Sequence, residues 1–116
     1  LLDYLYSLFA GKSREEVHVL FLDTRCKLLR DETLFKGTLS SSAASPRDIL
    51  KRALELKAAG LVIAHNHPSG LAEPSAADVA LTRNLIDALA LVGVRVLDHI
   101  VVTRARTASL AQLGLL

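Results

Sequence analysis

Apolar and polar positions along this chain change rhythm several times, and each change predicts an element. Leu1, Leu2, Leu5, Leu8 and Phe9 recur at helical spacing, which predicts an opening helix that Gly11 stops. Ser13 to Glu16 is polar. Residues 17–22 (VHVLFL) are then β-branched or large and apolar, the composition of a buried strand. Asp23-Thr24-Arg25 has turn chemistry. Residues 27–32 and 34–40 read as two further strands of an antiparallel meander, with Gly37 marking a bulge.

Ser45-Pro46-Arg47-Asp48 is a helix start, with Ser45 to cap, Pro46 at the first helical position and Asp48 to complete a capping box. Ile49, Leu50, Ala53, Leu54 and Ala58 make one apolar face opposite Arg47, Lys51, Arg52 and Glu55, and Gly60 ends the helix. The apolar run Leu61-Val62-Ile63-Ala64 predicts a strand that finishes in His65-Asn66-His67. A Pro68-Ser69-Gly70 turn leads to a helix over 76–92, stopped at Gly93. Thr82, Arg83 and Asp87 give that helix a narrow polar stripe, so most of its circumference should be buried. Residues 94–97 and 100–103 read as strands interrupted by Asp98-His99, and 109–116 as a last short turn of helix. Strand runs without polar alternation point to a sheet covered on both faces. The expected architecture is therefore α/β, a three-layer helix–sheet–helix with a mixed β-sheet. In such sheets ligand sites gather beyond the carboxyl ends of strands, where His65 and His67 fall.

Composition narrows the function classes. The 116 residues suffice for one domain with a sizeable core. No apolar run approaches a membrane span, and the first residues lack a basic leader, so neither a membrane segment nor a signal peptide is expected. A formal charge of +2 gives no case for nucleic-acid binding. The single Cys26 excludes an internal disulfide and a Cys-rich zinc cluster, and it suits a reducing cytoplasm. The missing initiator Met reads as the mark of a piece of a longer chain, its C-terminal domain.

The candidate chemistry lies in residues 61–78. Histidines at i and i+2 project from the same side of an extended strand, so His65 and His67 can reach one point. A short loop and a helix start can bring Asp78 to it. Two imidazoles and one carboxylate form a three-ligand zinc set with an open fourth position, the pattern of catalytic zinc. The helix N-terminus also favours developing negative charge. Each fragment alone is weak: His-x-His occurs in loops without metal, and Ser75-x-x-Asp78 can be only a capping box. The ordered combination is far more specific. Asp98 and His99 read either as support behind a zinc ligand or as a buried hydrogen-bonded pair. His18 reads as a structural histidine, Cys26 has no evident role, and Arg104 and Arg106 form at most a small basic spot.

His65-x-His67, seven residues, Ser75, two residues, Asp78 resembles the JAMM (MPN+) metalloprotease motif. The wider string HNHPSG…EPSAAD, with ELKAAGLVIA before it and Leu97-Asp98-His99-Ile100-Val101-Val102 after it, resembles the RadC branch of that group. The resemblance covers about residues 13–116. It implies a JAB1/MPN, cytidine-deaminase-like fold and a zinc ion held by His65, His67 and Asp78. It implies an upstream glutamate as general acid/base, and Ser75 as a stabiliser of the tetrahedral intermediate. Glu15 and Glu16 are both candidates; the family pattern favours Glu16, leaving the other to a solvated charge cluster. The implied function is a zinc-dependent metallohydrolase, a peptidase or isopeptidase using a metal-activated water, in a RadC-type protein that carries a DNA-repair label. The alternative is a DNA-associated repair or recombination module without peptidase turnover, touching DNA through an upstream helix-hairpin-helix domain that this sequence lacks. Asn66 stands where deubiquitinating relatives usually have Ser or Thr, and there is no room for the insertions that grip ubiquitin, so substrate identity does not transfer. Consecutive His65-Asn66-His67 is not the spaced arrangement of HNH nucleases. A zinc deaminase would need more than one Cys, and a silent scaffold would not keep all three ligands.

Overall fold

The elements run α1 (Leu2–Phe9), β1 (Glu16–Leu22), β2 (Leu28–Lys36), α2 (Pro46–Leu56), β3 (Gly60–Asn66), α3 (Ala76–Ala90), β4 (Arg95–Val102) and β5 (Thr107–Ser109). The structure is a computed structural model that describes residues 1–36 and 45–116. The strands form one sheet in the order β2-β1-β3-β4-β5. β1 is antiparallel to both β2 and β3, β3 is parallel to β4, and β4 is antiparallel to β5. β3 is therefore central and buried along its whole length, which is why its sequence carries no polar alternation.

Strand alternation sorts the apolar side chains into two layers. Val17, Val19 and Phe21 of β1 and Leu61 and Ile63 of β3 pack against Ile49 and Ala53 of α2 and Leu81, Leu85 and Leu89 of α3. On the other face Leu20, Leu22, Val62, Ala64, Ile100 and Val102 pack under Leu5 and Phe9 of α1. The expected three-layer α/β arrangement with a mixed sheet is the observed one, and it is consistent with a JAB/MPN-like fold. Among the described residues no helix is long and apolar enough to cross a membrane.

Several local expectations are corrected. Residues 28–36 form the single strand β2, not parts of two strands. Its polar centre is no turn: Asp31 bonds His18 across the ladder, and Glu32 receives Arg52 of α2. Gly37 and the remainder of the expected third strand lie outside the described residues. Ser45 makes no side-chain cap; backbone bonds from Asp48 and Ile49 to its carbonyl close the first turn behind Pro46. Lys57, left-handed at φ 55°, ends α2. Gly60 instead opens β3, where a Cβ would meet the Arg95 carbonyl oxygen at 3.0 Å. α3 ends at Ala90 and buries one face, because the sheet covers it from one side only. Thr82, counted in the polar stripe, lies on that buried face.

The interruption expected at Asp98-His99 proves to be a bulge within one continuous strand. Leu61 pairs with Val96, but Val62 pairs with Asp98, so β4 carries one extra residue. Before the bulge Val96 packs with the α2/α3 layer and Leu97 with the α1 layer. Strict alternation would then turn His99 towards α1. The extra residue reverses the parity, so that Ile100 faces α1 and His99 faces α3.

Candidate metal centre

His65, near the carboxyl end of β3, shares the parity of Leu61 and Ile63 and so faces α3. His67 lies just beyond the strand, held by its N–H to the Val102 carbonyl (3.0 Å) and by its ring Nδ1 to the Leu71 carbonyl (2.8 Å). The chain then reverses: Gly70 donates to the His67 carbonyl and adopts φ +90°, a conformation that glycine accepts without strain. Ser75 caps α3 through a reciprocal box. Its Oγ accepts the Asp78 N–H (3.1 Å), while Asp78 Oδ2 accepts the Ser75 N–H (2.7 Å). The box immobilises one carboxylate oxygen and aims the other at the histidines.

Three side chains converge there. His65 Nε2 lies 2.8 Å from His67 Nε2 and 3.3 Å from Asp78 Oδ1, and His67 Nε2 lies 3.6 Å from Asp78 Oδ2. A carbonyl can only accept, so His67 Nδ1 carries hydrogen towards Leu71, and a neutral ring then presents an Nε2 lone pair to the cluster. Asp78 Oδ1 is buried and, among the described residues, has only the His65 Nε2 contact at 3.3 Å, with no hydrogen bond of good geometry. Burial acts to raise the Asp78 carboxyl pKa. The hydrogen bond and charge of His65 and the Ser75 N–H outweigh it and hold the group near 2, ionised. A buried carboxylate oxygen without a well-formed hydrogen bond costs more than the ~1–3 kcal/mol of a neutral unsatisfied group. A bound cation removes that cost. The residues present therefore fit a metal ion, and the N,N,O donor set suits zinc.

His99 belongs to the same buried cluster: ligand atoms of His65, Asp78 and His99 all lie within 4.8 Å of one another. Its Nε2 contacts His65 Nδ1 at 2.7 Å, across the ring from the nitrogen that faces His67. It thus backs His65 instead of joining His67 in front. Burial first, then the neighbouring His65, pushes the His99 pKa well below its ordinary value and keeps the ring neutral. Asp98 is elsewhere, bonded to the Ser109 hydroxyl, the Ala111 N–H and its own neighbour's N–H.

Glu16 is also set apart. Its carboxylate lies on the α1 face with His18 (3.1 Å) and Lys12 (3.2 Å). The His18 bond lowers its pKa, burial opposes that, and Lys12 adds to the lowering. Glu15 has the parity of Val17, the cross-strand partner of His65. Asn66 fastens the backbone on either side of Glu15: its Oδ1 accepts the Glu16 N–H (2.8 Å) and its Nδ2 donates to the Arg14 carbonyl (3.0 Å). What sets Glu16 on the α1 face is its contact with His18 and Lys12.

A family model described as the RadC-like JAB domain matches residues 1–115. The chain belongs to the RadC family. It is similar to UPF0758 proteins of Methylibium petroleiphilum (57% identical over 98% of this chain and 51% of that one), Polaromonas (54% over 98% and 51%) and Vibrio parahaemolyticus (50% over 96% and 50%). The chain spans about half the length of the curated relatives it matches. In this RadC domain an open cleft of 760 Å³ runs between α1 and the end of the sheet, with Phe9, Lys12, Asn66, His67 and Arg104 on its walls. His67 is the one of the three converging side chains that reaches it, so molecules in the cleft approach the cluster from the His67 side.

Proposed function

We propose that this RadC domain is a zinc-dependent metallohydrolase acting on peptide or isopeptide bonds. The observation that carries the reading is the convergence of His65, His67 and Asp78 around a buried carboxylate oxygen without a well-formed hydrogen bond. These three residues would hold the ion. When bound, zinc lowers the pKa of a coordinated water towards ~7 and polarises a carbonyl oxygen.

The chain's own groups supply the rest. Glu15 takes the role first expected of Glu16: its carboxylate accepts a proton from the attacking water and returns it to the leaving nitrogen, a role worth about 10²–10⁴ in rate. Glu16 is held away from that work by His18 and Lys12. Asn66 fastens the backbone on either side of Glu15, which supports assigning its carboxylate to the His65 side. Ser75 fixes Asp78 by its N–H. Ser75 is an exposed residue whose Oγ accepts the Asp78 N–H, which leaves the hydroxyl hydrogen to donate to a developing oxyanion. The cleft presents the scissile bond beside His67.

The test is to incubate zinc-loaded protein with a proteome-derived peptide library and with isopeptide-linked peptides, reading new amino termini by mass spectrometry. Cleavage that disappears with chelator and in Asp78→Ala supports the proposal. Zinc-bound protein that releases no new termini from either substrate set contradicts it.

A further inference from the structure

The cleft beside His67 carries fixed charge of one sign. Lys12 and Arg104 stand on its walls, and among the described residues no Asp or Glu lines it. The two cations are not equivalent. Lys12 Nζ lies 3.2 Å from Glu16 Oε2, so its charge is already answered by a buried carboxylate that also takes His18. Arg104 is exposed and, among the described residues, its side chain makes no ion pair and no hydrogen bond. Its backbone is nevertheless held in place. β4 ends at Val102, whose carbonyl accepts the His67 N–H (3.0 Å). Thr103 follows, buried, and ties the next turn. Its N–H and its hydroxyl donate to the Arg106 carbonyl (2.8 and 3.0 Å), while its Oγ1 accepts the N–H groups of Ala105 (3.3 Å) and Arg106 (3.1 Å). Arg104 lies inside that turn. Consecutive Cα atoms are about 3.8 Å apart, so the Arg104 Cα is within about 8 Å of that of Val102, the residue to which His67 is bonded. An extended substrate advances roughly 3.3 Å per residue, which sets Arg104 roughly two or three substrate residues from a bond cleaved beside His67.

We propose that Arg104 is a specificity-determining residue: in a peptide lying along the cleft it takes the carboxylate of an Asp or Glu side chain close to the scissile bond. A guanidinium offers a planar fork of donors that matches a carboxylate with two parallel hydrogen bonds. Phe9, Pro68 and Val102 supply apolar wall on which the rest of the peptide can rest. The cleft is open, so a chain can run through it and present a side chain from its interior. A nucleic-acid phosphate would suit the same fork. One unanswered cation in the cleft and a formal charge of +2 do not make the basic track that a polyanion needs. The position of the scissile bond rests on the hydrolase reading above. The carboxylate contact needs neither zinc nor turnover, so the two can fail separately.

The experiment passes an acetylated random hexapeptide library over immobilised metal-free protein, with amidated and free C-termini in separate arms, and reads the retained peptides by mass spectrometry. Zinc-loaded protein is given the same library in solution and the cut positions are read. Wild type should retain amidated peptides with Asp or Glu about 5-fold over their Asn and Gln counterparts, a preference that shrinks as salt is raised. Arg104→Ala should abolish the preference, and Arg104→Glu should turn it towards Lys and Arg. Arg106→Ala, whose side chain is outside the cleft wall, should keep it. The proposal is overturned by equal retention of acidic and amide peptides, or by a preference confined to free C-termini. A preference that survives Arg104→Ala, or is lost equally in Arg106→Ala, overturns it too, as does a random oligonucleotide held through Arg104 in place of peptides. Cleavage without Asp or Glu enriched within three residues of the cut also overturns it and leaves the hydrolase reading standing. Arg104-dependent retention of acidic peptides that are never cut supports the carboxylate contact and contradicts the hydrolase reading instead.

Discussion

Each face of the sheet holds a buried histidine beside carboxylates, and the two faces differ in how fully those charges are answered. On the α1 face His18 has Asp31 on Nδ1 (2.8 Å) and Glu16 on Nε2 (3.1 Å). The second oxygen of Glu16 takes Lys12, and that of Asp31 takes the Tyr4 hydroxyl, which raises the Tyr4 pKa to about 12. The network closes on itself. On the α3 face His65, His67 and His99 surround Asp78, one buried oxygen of which has only the 3.3 Å contact to His65 Nε2 and no well-formed hydrogen bond among the described residues. Residue types alone would rank the two faces equally. Satisfaction of the hydrogen bonds separates them: the closed set joins strands and helix, and the open set leaves a carboxylate oxygen that a cation could answer.

The largest effect that can break this comparison is the stability conferred by zinc. Free zinc at a thousandfold excess over its dissociation constant should stabilise wild type by about 4 kcal/mol, read as a shift in urea or thermal unfolding. Asp78→Ala and His65→Ala should lose the shift; Glu16→Gln should keep it. A zinc shift retained in Asp78→Ala would put the ion somewhere else.

Turnover sharpens the contrast between adjacent glutamates. Once a cleaved peptide is in hand, Glu15→Gln should lower kcat by about 10²–10⁴ with zinc content unchanged. Glu16→Gln should leave kcat within a few-fold. The reverse ranking would return the proton-carrying role to Glu16.

A smaller effect belongs to the α1 face and depends on pH. The folded-state pKa of Glu16 is depressed, so its stabilisation is present above its ordinary value of 4.5 and is lost as pH falls through the lowered one. Glu16→Gln should therefore lower stability at pH 7. That cost should shrink as urea titrations are repeated below pH 4.5. A pH-independent cost would show that packing, not the His18 and Lys12 contacts, is what the substitution removes.

The sequence showed parts of this site because two periods carry them. His65 and His67 follow from the strand repeat, and Asp78 follows from the helix start that Ser75 caps. What stayed hidden depends on pairing rather than period. Glu15 and Glu16 are adjacent, and only the three-dimensional contacts put Glu16 on the α1 face with His18 and Lys12. Asp98-His99 looked like a break because a bulge disturbs alternation without ending the strand. Thr82 sat among Arg83 and Asp87 in a stripe that reads as solvent-facing, and its burial is set by where α3 meets β4. β2 looked like parts of two strands because its polar residues answer partners far along the chain. The fold class tolerated these errors, since α/β layering needs only the apolar runs.

The central claim is that the α3 face holds a metal ion through His65, His67 and Asp78. Elemental analysis of protein equilibrated with zinc and then freed of loosely bound ions tests it most directly, with Asp78→Ala and Glu16→Gln alongside. The account predicts one zinc per chain in wild type and in Glu16→Gln, and none in Asp78→Ala. Wild type without zinc, or Asp78→Ala with a full complement, would contradict it.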